Sequence, residues 1–243
     1  MRKRLKSLLR SFARSCGCDI VSFDPRFNFE AKKPELLRRF GIRHALDIGA
    51  NTGQFAAYLR GLGYEGRITS FEPLGAPFRV LSENLGKDPG WLGINAAVGA
   101  AAGSVKINVS LNSVSSSILP VADRHVSAHP DSAVVRVEEA KVVTVDGFLA
   151  EHPEFSGPFL LKADTQGFED AVLDGAANSF VSIPLVLLEM SVEALYEGQA
   201  LMPDLLKRMR ALGYSLAICE PSDMDYTDLS VLQMDGWFMR ESR

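Results

Sequence analysis

The chain has 243 residues, of which 47% are hydrophobic and 23% are charged, a composition typical of a globular protein with one full core. No apolar run approaches the roughly 18 to 20 residues of a membrane-spanning helix, and the N-terminus lacks the apolar stretch of a secretory signal, so we expect a cytoplasmic protein. The three cysteines, Cys16, Cys18 and Cys219, form no CxxC pair, which gives no support to a disulfide framework or a zinc site.

Residues 1–43 are a basic leader ahead of the main domain, which we place at residues 44–243. The leader carries 12 Lys and Arg against 4 Asp and Glu, whereas the remaining chain carries 14 against 26. Within "MRKRLKSLLRSFARS" the apolar residues recur at helical spacing and basic residues occupy the other positions. This pattern predicts a short amphipathic helix. We favour the interpretation that its Leu/Phe stripe (Leu5, Leu8, Leu9, Phe12) packs on the domain. The alternative is peripheral contact of residues 1–15 with an anionic membrane or another polyanion.

Short β-type runs alternate with helix-length segments after the leader, which is the pattern of a parallel sheet covered by helices. The predicted strands span residues 44–49, 67–73, 91–99, 104–110, 134–146, 157–164, 183–190, 213–221 and 231–240. Asn51 is a candidate cap for a first helix that ends at Gly63, and a second helix covers about 75–85. The last two strands are joined by a short polar segment that suits a hairpin, so the final strand should be antiparallel.

The stretch "HALDIGANTGQF" joins the first strand to the first helix. A dinucleotide site needs the pattern G-x-G-x-x-G, but here Asn51 and Gln54 stand where the second and third glycines would be. The spacing found instead is Asp47-x-Gly49-x-Asn51-x-Gly53. This turn suits a ligand with a cation and hydroxyls better than it suits a diphosphate.

The second strand ends in Glu72, beside the glycine turn. A carboxylate in this position can accept hydrogen bonds from both hydroxyls of a ribose. A nucleoside without phosphate that carries a charged amino-acid tail would fit both the turn and the acid.

These residues resemble the S-adenosylmethionine-dependent methyltransferases with a seven-stranded Rossmann-like sheet, and within them the FkbM-type methyltransferases. The matching segments run from about residue 44 to 240 and are "ALDIGANTGQFAAYL", "ITSFEPLGAPFRVLSENL", "VTVDGFL", "LLKADTQGFEDAVLDGA", "LVLLEM" and "LQMDGWFMR". The fold expected is therefore a single α/β domain with a seven-stranded, mostly parallel sheet, an antiparallel last strand, an inserted pair of strands and an N-terminal helix.

The resemblance implies a binding role for residues at three strand ends. The backbone of Gly49, Ala50, Asn51 and Gly53 would receive the methionine part of S-adenosylmethionine, with Asp47 helping to place it. Glu72 would bind the ribose. Asn95 and Ala96, after the third strand, would flank the adenine.

Acids also follow the later strands, where a proton could be removed from an acceptor hydroxyl. Asp164 ends the strand "PFLLKAD", and Lys162 shares its face of that strand. Glu169 lies one turn further on, and Glu189 ends the next strand. In one arrangement Asp164 is the general base, oriented by Lys162 or Glu169, and no metal takes part. In the other the three acids hold a divalent ion. We favour the version without metal.

Residues 111–133 are too long and polar for a simple connection, and such segments often face a substrate. His125 and His129 within it are alternative bases. The resemblance implies O-methylation of a hydroxyl, in a small molecule or in a sugar of a glycan, glycolipid or natural product. The alternatives are an NAD-type oxidoreductase and a nucleoside-binding protein without turnover. Nucleic acid is disfavoured as a partner because the main domain is acidic.

Overall fold

The computed structural model describes residues 2–86 and 88–241, with side-chain surroundings from Ser7 onwards. Its α-helices are α1 (Arg2–Ser15), α2 (Phe29–Arg39), α3 (Gln54–Gly61), α4 (Gly75–Leu85), α5 (Asp123–Ala128), α6 (Val145–Glu151), α7 (Glu169–Asp174) and α8 (Met202–Ala211). Its strands are β1 (His44–Ile48), β2 (Arg67–Phe71), β3 (Trp91–Ile94), β4 (Ala97–Val98), β5 (Gly103–Ser110), β6 (Val134–Val143), β7 (Phe159–Ala163), β8 (Leu185–Ser191), β9 (Tyr214–Met224) and β10 (Val231–Arg240).

Seven strands form the central sheet, in the order β3-β2-β1-β7-β8-β10-β9. β10 runs antiparallel to both of its neighbours, and the other pairs are parallel. The predicted sheet with an antiparallel last strand is therefore confirmed. β10 is last in the chain but second from the edge, because the hairpin puts β9 outside it. The inserted strands form a separate sheet in the order β4-β6-β5.

The hydrophobic core covers both faces of the central sheet. Every residue of β1 and β7 is buried, which explains why their sequences are nearly continuous apolar runs rather than alternating ones. One face packs against α6, α7 and α8 through residues such as Leu173 and Met209. The other packs against α2 and α3 through residues such as Leu37 and Leu59. This layering fixes the carboxyl ends of the parallel strands along one edge.

The leader contains one packed helix and one exposed helix. Helix α2, which the sequence analysis did not predict, contributes Leu36 and Leu37 to the core, and the Lys33 ammonium lies 2.5 Å from the Glu220 carboxylate of β9. Asn28 caps α2 by accepting a hydrogen bond from the Ala31 N–H at 2.9 Å. Residues 29–39 are thus joined to the sheet by both apolar and ionic contacts.

Helix α1 does not pack its apolar stripe on the domain, so the favoured prediction for the leader is wrong. Leu8, Leu9 and Phe12 are 68%, 50% and 71% exposed. Leu5, the fourth residue of the stripe, lies in the range 2–6, whose side chains are outside the described part of the chain. None of the helices in residues 2–86 and 88–241 combines the length and the apolar composition that crossing a bilayer requires.

The predicted third strand, residues 91–99, is divided between the two sheets. β3 ends at Ile94, and β4 pairs with β6 in the small sheet. The break occurs at Asn95, whose side-chain amide donates to the carbonyls of Glu72 and Pro73 at 2.9 and 3.0 Å. A side chain that bonds to the neighbouring backbone competes with the strand ladder, and here it turns the chain out of the sheet.

Two further predictions need correction. Asn51 does not cap α3, because the helix begins at Gln54 after Gly53, whose φ of 94° is left-handed. Residues 111–133 are not a plain loop. They contain α5 and single 3-10 turns at Ser113–Ser115 and Pro130–Ser132, and backbone hydrogen bonds between Asn108 and Ser117 attach the segment to β5.

Candidate active site

A cavity of about 500 Å³ opens at the carboxyl ends of β1, β2, β7 and β8. Its wall on the sheet side is the loop after β1, and its far wall comes from the segment 112–131 and from β9 and β10. The volume lies in the range of small-molecule and cofactor sites. Crevices at this end of an open α/β sheet are the usual ligand sites of such folds.

Gly49 shapes the loop after β1. Its φ is 77°, and the N–H groups of Gly49 and Ala50 both donate to the Phe71 carbonyl at 3.0 Å. A Cβ added at Gly49 would lie 1.8 Å from the carbonyl oxygen of Asp164 at the end of β7. Only glycine permits this close approach of two backbone segments, so the loop lies directly against the end of β7.

Asn51 and Gly53 have different roles in this loop. Asn51 lines the cavity, its N–H donates to Glu72 Oε2 at 2.9 Å, and its side-chain amide donates to Ser113 Oγ at 3.1 Å. Gly53 lies outside the cavity, where an added Cβ would come within 2.5 Å of the Trp91 ring. Gly53 therefore allows α3 to pack closely, and Asn51 ties the loop to the far wall.

Glu72 presents a buried carboxylate to the cavity. Oε2 accepts the Asn51 N–H, and Oε1 accepts the Leu74 N–H at 2.8 Å. Burial raises the pKa of Glu72 to about 7, although these two N–H groups favour the ionised form. Two carboxylate oxygens held by backbone donors in this way can accept two hydroxyl groups of a ligand.

The structure separates Asn95 from Ala96. Ala96 is buried and lines the cavity together with Ala97 and Val98. Asn95 is exposed and does not line the cavity, because its amide is bonded to the backbone after β2. The wall near β3 and β4 is therefore small and apolar, which suits the face of a flat ring.

Lys162 connects the loop after β1 with the acid at the end of its own strand. Its ammonium lies 3.2 Å from Asp47 Oδ1 and 3.3 Å from Asp164 Oδ2, and donates to the Gly49 carbonyl at 3.0 Å. Burial alone would lower the pKa of Lys162, but the two carboxylates raise it above its usual value. Lys162 therefore remains a cation with three fixed partners.

Asp47 and Asp164 lie on opposite sides of this lysine. Asp47 is fully buried behind the loop, where its Oδ2 accepts the Ser70 hydroxyl at 2.9 Å, and it does not line the cavity. Asp164 does line the cavity and keeps 35% of its side chain exposed, while its Oδ1 accepts the Gln166 amide at 3.0 Å. Of the two, Asp164 is the carboxylate that a substrate can reach.

Glu169 is not brought to the cavity. It is buried at the start of α7, and its Oε1 accepts the Thr165 N–H at 2.7 Å and the Gly167 N–H at 3.2 Å. Burial raises the pKa of Glu169 to about 7. This acid supports the turn after β7 and does not itself line the cavity.

Glu189 lines the cavity within a network of amides that the sequence analysis missed. Glu189 Oε2 accepts the side-chain amides of Gln166 at 2.6 Å and Gln233 at 2.7 Å, and the Tyr196 hydroxyl donates to Gln166 Oε1 at 2.7 Å. Burial, followed by the charge of Asp164, raises the pKa of Glu189. Glu189 therefore holds Gln166, which in turn holds Asp164.

Asp235 is a further cavity carboxyl that the sequence analysis missed. It lies opposite Glu189 in the β8–β10 pair, and no side-chain hydrogen bond joins it to another described residue. Burial, followed by the charge of Asp164, raises the pKa of Asp235 to about 7. The signal was present in "LQMDGW", where Gln233 and Asp235 alternate with apolar residues.

Both histidines of segment 112–131, His125 and His129, line the far wall. His129 Nε2 lies 3.0 Å from Asp223 Oδ2. His125 is buried with its ring edge-on to Tyr196, and burial lowers its pKa to about 4, so it is neutral near pH 7. The described residues 2–86 and 88–241 contain no group of three or more His, Cys, Asp and Glu side chains arranged to hold a metal ion.

Comparison with known proteins identifies one family. The sequence model for the methyltransferase FkbM domain matches residues 47–216. Similar solved structures include precorrin-6y C5,15-methyltransferase from Geobacter metallireducens, which is 12% identical with a TM-score of 0.43 and coverage of 88% of this chain and 87% of that chain. Another is fibrillarin from Aeropyrum pernix in complex with S-adenosyl-L-methionine, which is 12% identical with a TM-score of 0.46 and coverage of 82% and 67%. No curated protein matches the chain.

Proposed function

Because the chain belongs to the FkbM family of methyltransferases, we propose that it transfers a methyl group from S-adenosylmethionine to a hydroxyl oxygen. The predicted family is confirmed by the match over residues 47–216. The acceptor we propose is a hydroxyl of a small molecule or of a sugar in a glycan, glycolipid or natural product. The proposal depends chiefly on one observation, the accessible Asp164 carboxylate in the same cavity as the Gly49 loop and Glu72.

The cofactor half of the cavity supports a phosphate-free nucleoside. Glu72 offers two carboxylate oxygens for ribose hydroxyls, and the glycine at position 49 lets the loop after β1 lie directly against the end of β7. The apolar wall at Ala96 and Val98 fits an adenine face. A pyrophosphate would meet the carboxylate of Glu72 and find neither of the glycines that it needs at positions 51 and 54, which weighs against the NAD alternative.

The proposed chemistry assigns one proton transfer to this chain. S-adenosylmethionine, when bound, would supply an electrophilic methyl group whose carbon–sulfur bond breaks, with neutral S-adenosylhomocysteine as the leaving group. Asp164 accepts the proton of the acceptor hydroxyl as the new carbon–oxygen bond forms. Lys162 and Gln166 hold the Asp164 carboxylate in place at 3.3 and 3.0 Å. Glu189 is a positioning residue, because it acts through Gln166.

The far half of the cavity supports a polar acceptor. Its walls carry the carboxyl groups of Asp223 and Asp235, the amide of Gln233 and the imidazole of His129. These groups can both accept and donate hydrogen bonds, as recognition of a polyhydroxylated molecule requires. A nucleic acid is a weaker candidate, because residues 44–243 carry 14 Lys and Arg against 26 Asp and Glu.

Two measurements test the proposal. Thermal denaturation with S-adenosylhomocysteine, with NAD and without ligand should show stabilisation by the first compound alone. Incubation with methyl-labelled S-adenosylmethionine and a panel of sugars, glycolipids and hydroxylated natural products should then give a labelled ether that survives alkaline treatment. Stabilisation by NAD instead, or binding without any labelled product across the panel, would contradict the proposed reaction and favour an oxidoreductase or a binding protein.

A further inference from the structure

The N-terminal residues before α2 carry an apolar surface that the described part of the chain leaves uncovered. We call it the N-terminal surface, and its apolar members are between 50% and 79% exposed. They are Leu8, Leu9, Phe12, Ile20, Val21, Phe23 and Phe27. Isolated exposed apolar residues are ordinary, but seven within 20 consecutive residues is a concentration that suggests an interaction segment.

Helix α1 arranges this surface in a defined way. Leu8, Leu9 and Phe12 follow the 3.6-residue repeat and share one side of the helix. Arg10 and Arg14 lie on the other side, where both bind the Asp19 carboxylate at 2.7 and 3.0 Å. These ion pairs hold the turn after the helix against its polar side, so the apolar side remains free.

The positive charge of the first 18 residues indicates what kind of partner binds the N-terminal surface. The first 18 residues contain six Lys and Arg, and no Asp or Glu occurs before Asp19. Four of these cations, at positions 2–6, precede the exposed leucines. The rest of the protein is acidic and would be repelled by a negatively charged surface. Attraction to such a surface is therefore confined to the N-terminal residues.

We propose that residues 2–27 dock the protein on an anionic lipid bilayer. Leu8, Leu9 and Phe12 enter the boundary between headgroups and acyl chains, and the positive charge of the segment is attracted to the lipid phosphates. A narrow apolar stripe in a segment of net positive charge suits a layer of anionic headgroups over hydrocarbon. A second copy of the chain would need an apolar groove to receive the same stripe. The inference does not depend on the proposed reaction.

Vesicle flotation tests this docking directly. The full-length protein should float with vesicles of phosphatidylcholine and phosphatidylglycerol at low salt, and should stay in the dense fraction with phosphatidylcholine alone. The triple variant Leu8→Gln, Leu9→Gln and Phe12→Gln should lose flotation to the level seen with the neutral vesicles. Val181→Gln is the matched control, because Val181 is 84% exposed but lies far along the chain from α1, and this variant should float normally.

Two results would overturn the proposal. The first is equal flotation of the wild type and the triple variant. The second is that the wild type does not float with either kind of vesicle. If the wild type then forms a concentration-dependent dimer that is lost in the triple variant and kept in the control, the N-terminal surface is a contact between copies. Thermal denaturation of each variant verifies folding, and we expect no change because these side chains make no core contacts. Methyl transfer is not used as a readout, so failure here leaves the proposed reaction unaffected.

Discussion

Lys162 and Asp47 form an ion pair between the adjacent strands β7 and β1, with 3.2 Å between the ammonium nitrogen and the carboxylate oxygen. Both side chains are almost entirely buried. A buried pair of this kind contributes little over an apolar pair, but the loss of one partner leaves an uncompensated charge. The pair therefore makes the fold depend on a residue that also contacts Asp164 in the cavity.

Lys162→Met should destabilise the protein by about 3–5 kcal/mol, because it leaves the buried Asp47 carboxylate without its cation. Urea unfolding followed by circular dichroism measures this loss. Lys141→Met is the matched control, since Lys141 is exposed on β6 and should change stability by less than about 0.5 kcal/mol. Equal effects of the two substitutions would show that the ion pair does not support the fold.

Asp164→Asn should reduce turnover by about 100- to 10,000-fold, because an amide cannot accept the proton of the acceptor hydroxyl. Affinity for S-adenosylhomocysteine, measured by isothermal calorimetry, should stay within about fivefold of the wild type, since Glu72 and the Gly49 loop are unchanged. Asp204→Asn, on the exposed start of α8, should leave both quantities unchanged. Normal turnover of Asp164→Asn would remove this residue from the mechanism.

Glu72→Gln should weaken binding of S-adenosylhomocysteine by about 10- to 100-fold, because hydrogen bonds to a charged group contribute roughly 1.5–3 kcal/mol. Calorimetric titration gives the dissociation constant. The variant must also be shown to fold, since the Asn51 and Leu74 N–H groups lose part of their acceptor. Unchanged affinity in a folded variant would mean that Glu72 supports the loop and does not touch the ligand.

Gly49→Ala should be far more destabilising than Gly63→Ala. Both glycines have positive φ, 77° and 80°, so alanine pays a similar backbone penalty at each, about 1–2 kcal/mol. At Gly49 the new methyl group also meets the Asp164 carbonyl, whereas nothing lies within 4 Å at Gly63. We expect an additional loss of about 1–3 kcal/mol in urea unfolding for Gly49→Ala. Equal losses would contradict the close approach of the two segments.

The ligand-free protein should lose stability as the pH rises from about 6.5 to 8. Glu72, Glu169 and Asp235 have pKa values of about 7 in the folded protein, above their usual values, so the folded state holds protons that the unfolded chain has released. Raising the pH removes these protons and forces buried charge on the fold. Below about pH 6.5, His44 and His125 destabilise the fold as the pH falls. Their pKa values are lowered to about 4 in the folded protein, so the unfolded chain binds protons that the folded protein does not.

Urea unfolding at several pH values in this window measures that decline. In Glu72→Gln one of the titrating carboxyls is absent, so the loss of stability between pH 6.5 and 8 should be smaller than in the wild type. A stability that is constant or rises across the window would contradict the raised pKa values.

The sequence predicts the central sheet well because its signals are local. Continuous apolar runs define β1 and β7, and the short polar connection before β10 excludes a helical crossover. The start of α3 was misplaced because Asn51 is a good helix cap in isolation. Its backbone is left-handed, with a φ of 47°, and its N–H is bonded to Glu72, which follows β2. No local pattern around Asn51 reports that contact.

The candidate site likewise contains some residues that local sequence predicts and others that only tertiary packing brings together. The positions of Gly49, Glu72 and Asp164 at strand ends follow from topology, so sequence motifs are enough to find them. The network of Gln166, Tyr196 and Gln233 comes from three distant segments, and only tertiary packing brings them to Glu189. Likewise, an amphipathic pattern does not reveal whether another part of the chain packs against Leu8 and Phe12, so their exposure could not be predicted from the sequence.

The two halves of the cavity are built from different parts of the fold. The end that we propose binds the nucleoside consists of loops fixed by the parallel strands, whereas the far wall consists of segment 112–131 and the β9–β10 hairpin at one edge of the sheet. Substitutions in the hairpin can therefore change which acceptors the cavity binds. They leave unchanged the loop after β1, where Gly49 has no room for a side chain. Divergence among homologous enzymes, and attempts to redirect this one by directed evolution, should accumulate at that outer wall.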